Sequence, residues 1–108
     1  MATYMLEVSY TSAALAALVQ NPQDRGQVVS KAAKKLGGKL SGTWLAFGDS
    51  DVIVILDMPD NASMAALAIA IGAGGACTKL KTTALLSVSE AMSAMEKAST
   101  TGYKPAGS

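Results

Sequence analysis

Thr43-Trp44-Leu45-Ala46-Phe47-Gly48-Asp49-Ser50-Asp51-Val52-Ile53-Val54-Ile55-Leu56-Asp57-Met58-Pro59-Asp60 is the stretch on which the reading of the fold turns. Trp, Phe, Thr, Val and Ile fit a pleated, half-buried surface. Between the two apolar runs lie Gly48, Asp49 and Ser50, all residues that favour a chain reversal. The stretch therefore reads as a hairpin of two strands joined by a tight polar turn, with Pro59 closing the second. Every position from Val52 to Leu56 is apolar, which predicts a strand covered on both faces. One layer of helices covers only one face of a sheet, so the other face requires a second partner.

Upstream of the hairpin, Thr3 to Tyr10 has the period of a strand. Tyr4, Leu6 and Val8 share one face, and Thr3, Met5, Glu7 and Ser9 the other. Thr11 or Ser12 caps a short Ala-rich helix to about Val19. Asn21-Pro22 is read as the restart of that helix, with Asn21 as the cap and Pro22 at the first helical position. Val28, Val29, Ala32, Ala33 and Leu36 then recur at helical spacing until Gly37-Gly38 ends the run. Lys31, Lys34 and Lys35 form its solvated side, and Arg25 is expected to pair with Asp24. Lys39 to Phe47 and Asp51 to Met58 are the two strands of the hairpin.

Downstream, Asp60 or Asn61 caps a helix through about Ile71. It is apolar nearly all round, as expected of a helix buried on more than one side. Gly72-Ala73-Gly74-Gly75 follows a helix, whereas a phosphate-cradling loop sits between a strand and a helix; it reads as a helix terminus and turn. Ala76 to Leu86 is a fourth strand, with Lys79 and Lys81 sharing a face with Leu85. Ser87 and Glu90 make a capping box that opens a last helix striped with Ala91, Met92, Met95 and Ala98. Residues 1–98 are read as one domain, and residues 99–108 as a polar C-terminal arm.

The order β-α-β-β-α-β-α gives an α+β fold: a ferredoxin-like β-α-β-β-α-β sandwich with an extra C-terminal helix and an antiparallel sheet in the order 4-1-3-2. With Leu6, Val54 and Leu80 turned to the helices, the opposite face carries Glu7, Ile53, Ile55, Asp57, Lys79 and Lys81. Glu7 is then placed opposite Lys79 or Lys81. Charges on an otherwise apolar face are costly unless paired or hydrated. One reading is a structural salt bridge at a subunit contact. The other is a polar spot in a small apolar cavity between subunits. There Lys81 would be a base or anion binder, Asp57 or Glu7 its carboxylate partner, and Trp44 a ring that stacks on a flat ligand.

Composition narrows the chemistry. Of 108 residues half are hydrophobic and 16% charged, with a formal net charge of +1. So few charges over so apolar a chain favour self-association, and the near-neutral balance gives no field for nucleic acid or an anionic membrane. The absence of His excludes imidazole metal or haem ligation and His-based catalytic triads. We expect no metal and no cofactor. The lone Cys77 and an N-terminus without a basic, signal-like run suggest a cytoplasmic protein. The longest apolar stretch, Met64 to Cys77, is interrupted by glycines and shorter than the roughly 20 residues of a membrane span.

Gly37-Gly38-Lys39-Leu40, Trp44 to Val52, Met58-Pro59-Asp60-Asn61, Asn21-Pro22-Gln23-Asp24-Arg25 and Lys81-Thr82-Thr83-Ala84-Leu85-Leu86 with Ser87-Val88-Ser89-Glu90-Ala91 together resemble the GYD family, in order and spacing, from Tyr4 to Lys97. Gly48 and Asp51 match the Gly and Asp of its name, and Ser50 stands where its tyrosine would be. Asp49 and Asp51 are read as stabilising the turn through their own hydrogen bonds, since a calcium loop needs six or more oxygens. The resemblance implies a ferredoxin-like, dimeric α/β-barrel-type protein and no particular activity. The favoured reading is a small homo-oligomeric binding or stress-associated module without catalysis, its partners being itself and a small organic ligand. The alternatives are a cofactor-free enzyme of monooxygenase or isomerase type and a purely structural assembly subunit.

Overall fold

The computed structural model describes residues 1–107. Its elements are β1 (Ala2–Tyr10), α1 (Ser12–Gln20), α2 (Arg25–Lys35), β2 (Lys39–Leu45), β3 (Val52–Met58), α3 (Asn61–Ala73), β4 (Cys77–Leu85) and α4 (Val88–Ala98). The strands form one antiparallel sheet in the order β2-β3-β1-β4, which is the 4-1-3-2 order read from the other edge. The fold is thus ferredoxin-like, with α2 and α3 on one face of the sheet.

Strand alternation sorts the side chains as expected. Tyr4, Leu6 and Val8 of β1 and Val52, Val54, Leu56 and Met58 of β3 are buried beneath the helices, together with Ala33 of α2 and Met64 and Leu67 of α3. Each fully buried Leu or Met contributes about 1.5–3 kcal/mol of transfer free energy, so these few side chains carry much of the fold's stability. Tyr4 is buried without a polar penalty because its hydroxyl donates to Asn61 Oδ1 at the start of α3.

The helix starts follow from local chemistry. Thr11 Oγ1 accepts from Ala14 N–H, Asp60 Oδ1 from Ser63 N–H, and Ser87 with Glu90 forms the reciprocal capping box of α4. The second helix corrects the sequence reading. It begins at Arg25, with Asp24 as its cap accepting from Gly26 N–H at 2.9 Å, and Asn21-Pro22 lies in the link from α1. The Asp24 carboxylate is thereby turned to the backbone. Arg25 pairs instead with Gln23, its Nη1–H donating to Oε1 at 2.9 Å.

Two one-residue bulges change which face later residues occupy. Pairing on β3 steps from Leu40↔Leu56 to Gly42↔Ile55, leaving Ser41 as the extra residue and placing Trp44 on the face away from the helices. Pairing on β1 steps from Ser9↔Lys79 to Tyr10↔Cys77, leaving Thr78 extra. That shift moves Cys77 to the helix side, where it packs against the core beside Tyr10.

Thr43 lies under the start of α2: its Oγ1 is buried with no hydrogen-bond partner among the described residues, and a Cβ on Gly26 would fall 2.6 Å from it. An unpaired buried hydroxyl costs more than the methyl that would replace it. Thr43→Val is therefore expected to leave stability unchanged or raise it by up to about 1 kcal/mol in urea unfolding.

The last helix departs from the packed body. Every residue of it but Ala91 is exposed, and Val88, Met92 and Met95 stand 79%, 57% and 69% accessible. The radius of gyration, 17.2 Å, exceeds the ~13 Å of a compact chain of this length, in keeping with an α4 and following residues 99–107 that are exposed rather than packed.

Candidate functional site

The face of the sheet away from the helices is organised in cross-strand rows. One row runs Trp44, Ile53, Glu7, Lys81 from β2 to β4, and the next Gly42, Ile55, Met5, Thr83. A third runs Lys39, Asp57, Thr3, Leu85, and Ser9 with Lys79 follows at the opposite end. Glu7 therefore lies directly opposite Lys81, with Lys79 one row further on.

The register brings Trp44, Glu7 and Lys81 into a line across the sheet. Trp44 and Lys81 are three strands apart, about 14 Å at ~4.8 Å per strand. The indole folds back over its own strand, since a Cβ on Gly42 would meet its Cη2 at 2.6 Å. Asp57 sits two rows from Glu7, its Oδ1 accepting from Thr3 Oγ1–H at 2.6 Å. The sequence-predicted residues share a face, but the chain alone does not converge them on one reacting atom.

The hairpin loop does something that turn chemistry did not suggest. Asp51 Oδ2 accepts from the backbone N–H of Tyr10 at 2.8 Å, so its carboxylate binds the end of β1 rather than its own turn. Its backbone N–H donates to Val8 O at 2.8 Å and its carbonyl accepts from Ala46 N–H. Ser9 Oγ–H donates to Asp49 O at 2.9 Å. Ser50, buried at the tip of this loop, donates its hydroxyl to Glu7 Oε2 at 3.2 Å. The expected turn-internal role of Asp51 is thus replaced by a tether between hairpin and central strand, while Gly48 has open space around it. Charge-assisted hydrogen bonds to backbone are the stronger kind. Asp51→Ala should therefore lower unfolding stability by about 1.5–3 kcal/mol. The change would be read as a fall in the urea midpoint at constant m-value.

An apolar concavity lies on the other side of the sheet. Between α2 and α3 opens a cleft of about 310 Å³, floored by Val8, Val52 and Val54 and walled by Val29, Leu67 and Ile71. Small residues on the facing helices, among them Gly26, Ala32, Ala70 and Gly74, leave the space. At one end stand Tyr10, Arg25 and Cys77. Burial pushes the Tyr10 hydroxyl and the Cys77 thiol above their ordinary ranges, and the Arg25 guanidinium acts in the opposite sense on both. Sequence reasoning missed this group. Strict alternation along the fourth strand sets Cys77 on the face of Lys79 and Lys81, which the bulge overturns, and Arg25 was given only a local partner; the visible signal was Arg25 alone at the head of a helix whose inward side is small and apolar.

Among the described residues, no group of three or more His, Cys, Asp or Glu side chains could hold a metal ion, and no helix is long and apolar enough to cross a membrane.

Comparison places these observations in a family. TTHA0845 from Thermus thermophilus has a similar crystal structure, with a TM-score of 0.54 and 12% identity over 82% of this chain and 96% of that one. The crystal structure of an uncharacterized NIPSNAP domain protein from Burkholderia xenovorans gives a TM-score of 0.49 at 15% identity, covering 82% of this chain and 95% of that one. No curated protein matches the chain. The model of the GYD domain matches residues 4–95, from near the start of β1 into α4, and the chain therefore belongs to the GYD domain family.

Proposed function

We propose that this chain is a non-catalytic binding module that works as a homo-oligomer, closing its open sheet face against a second copy of itself. The observation that carries the reading is the apolar centre of that face. Met5, Ile53, Ile55 and Leu85 are half-buried and Trp44 exposed, and among the described residues no helix packs closely over them. An apolar patch rimmed by Glu7, Lys39, Asp57, Lys79 and Lys81 has the layout of a protein interface. The projecting α4 supports the same reading, because its Val88, Met92 and Met95 stripe needs a surface that its own chain does not offer.

Catalysis on this face is disfavoured by geometry. A base at Lys81 and a stacking ring at Trp44 are too far apart to hold one small substrate, and Glu7 and Asp57 are each engaged by a neighbouring hydroxyl. Sedimentation velocity at micromolar concentration tests the assembly. A dimer or larger species is expected, and a chain that stays monomeric would falsify the proposal.

A further inference from the structure

We propose that the cleft between α2 and α3 binds a small apolar carboxylate, an aliphatic or aromatic acid, with Arg25 as the anchor for its carboxyl group. The inference rests on the reading of the chain as a binding module but not on its assembly, since the cleft is on the helix side of the sheet.

Size, lining and charge all bear on the ligand. A volume of about 310 Å³ is at the lower end of small-molecule sites, room for an eight- to ten-carbon chain or one or two rings. Its walls are aliphatic, and Arg25 is the one charged residue on them. A guanidinium has five N–H donors in a planar fork, of which one is engaged by Gln23 Oε1 and another is turned to the Tyr10 hydroxyl. A carboxylate matches that fork with two parallel hydrogen bonds. The Tyr10 hydroxyl stands on the same lining and offers a further donor.

Charge also selects against other ligands. A neutral apolar molecule would cover the guanidinium without giving it a partner, which costs the desolvation of a charge. A cation would meet Arg25 directly. A dianion such as a phosphate monoester finds a single arginine, with the Asp51 carboxylate close by at the Tyr10 N–H. One negative charge on an apolar body is what the cleft complements.

Isothermal titration of the full chain with octanoate, octan-1-ol and octylamine tests this. Octanoate is expected to bind at least tenfold more tightly than octan-1-ol, and octylamine more weakly than either. Arg25→Gln should reduce octanoate to the level of the alcohol while leaving the circular dichroism spectrum intact. Ala70→Trp, at an exposed position on the cleft wall, should block both without changing the oligomeric state. Cys77, the single thiol, reports the location: octanoate should slow its alkylation in the parent chain and not in Arg25→Gln.

Equal affinity for octanoate and the alcohol, or an unchanged octanoate affinity in Arg25→Gln, overturns the ligand class and leaves the binding module standing. No binding of either compound to an intact oligomer overturns the binding reading as well. Loss of the oligomer in Ala70→Trp makes the cleft a contact between copies, and the proposal falls.

Discussion

Ile55→Glu is expected to run as a monomer in sedimentation velocity where the parent chain runs as an oligomer. Ile55 sits on β3, in the row Gly42, Ile55, Met5, Thr83 that crosses the middle of the open face. In a symmetric pair that presses two such faces together, the substitution brings two carboxylates into the most desolvated part of the contact. An uncompensated buried charge costs several kcal/mol, and about 4 kcal/mol already weakens association roughly a thousandfold. The isolated chain should tolerate the change, because Ile55 is only half-buried there and a glutamate can reach water. The expected result is therefore lost assembly with a nearly unchanged far-ultraviolet spectrum. An Ile55→Glu chain that sediments like an oligomeric parent at every concentration would show that the contact lies elsewhere, and the outer side of α3 with its exposed Ile69 would become the next face to examine.

Strand period carried most of the fold from the sequence, because a two-residue repeat assigns every side chain to a face once a few core positions are known. Leu6, Val54 and Leu80 pointed to the helix side and, with the hairpin, implied the antiparallel order. Strict alternation fails wherever one extra residue enters a strand, and it misplaced Cys77. Neither Ser41 nor Thr78 differs in kind from its neighbours, so the two bulges leave no mark in the apolar pattern. They nevertheless decide that Trp44 faces away from the helices and that Cys77 faces them.

Long-range polar contacts were equally silent. Asp51 has the residue type and position of an ordinary turn former; that its carboxylate holds the Tyr10 N–H is a consequence of where the strand order places the hairpin loop. The cleft was hidden for a different reason. It arises from the gap between two helices that are far apart in sequence, and small residues such as Ala32 and Ala70 read first as good helix formers. The open face was legible as a shared surface but not as a site, because alternation gives the side of a sheet and not the distance across it.

Leu56→Ala is expected to give the opposite readout to its neighbour: a large loss of fold stability with the contact surface untouched. Leu56 is fully buried, pairs with Tyr4 on β1 and Leu40 on β2, and lies on the helix side of the sheet. Removing its three outer carbons loses their transfer free energy and leaves a cavity among residues that β-strand pairing holds apart. Such substitutions cost about 2–5 kcal/mol, against a total of roughly 5–15 kcal/mol for a domain. Urea unfolding should show a lower midpoint at constant m-value, since the same surface is exposed on unfolding. Parent and variant must be compared at one protein concentration, because the proposed association would add to the apparent stability of the native chain. The cleaner form of the experiment places Leu56→Ala on the Ile55→Glu chain, where association is removed and the difference between single and double variant reads the core alone. A loss below about 1 kcal/mol there would mean that the site collapses around the missing carbons. The two helices would then be loosely seated on the sheet, and the cleft between them could not hold a defined ligand.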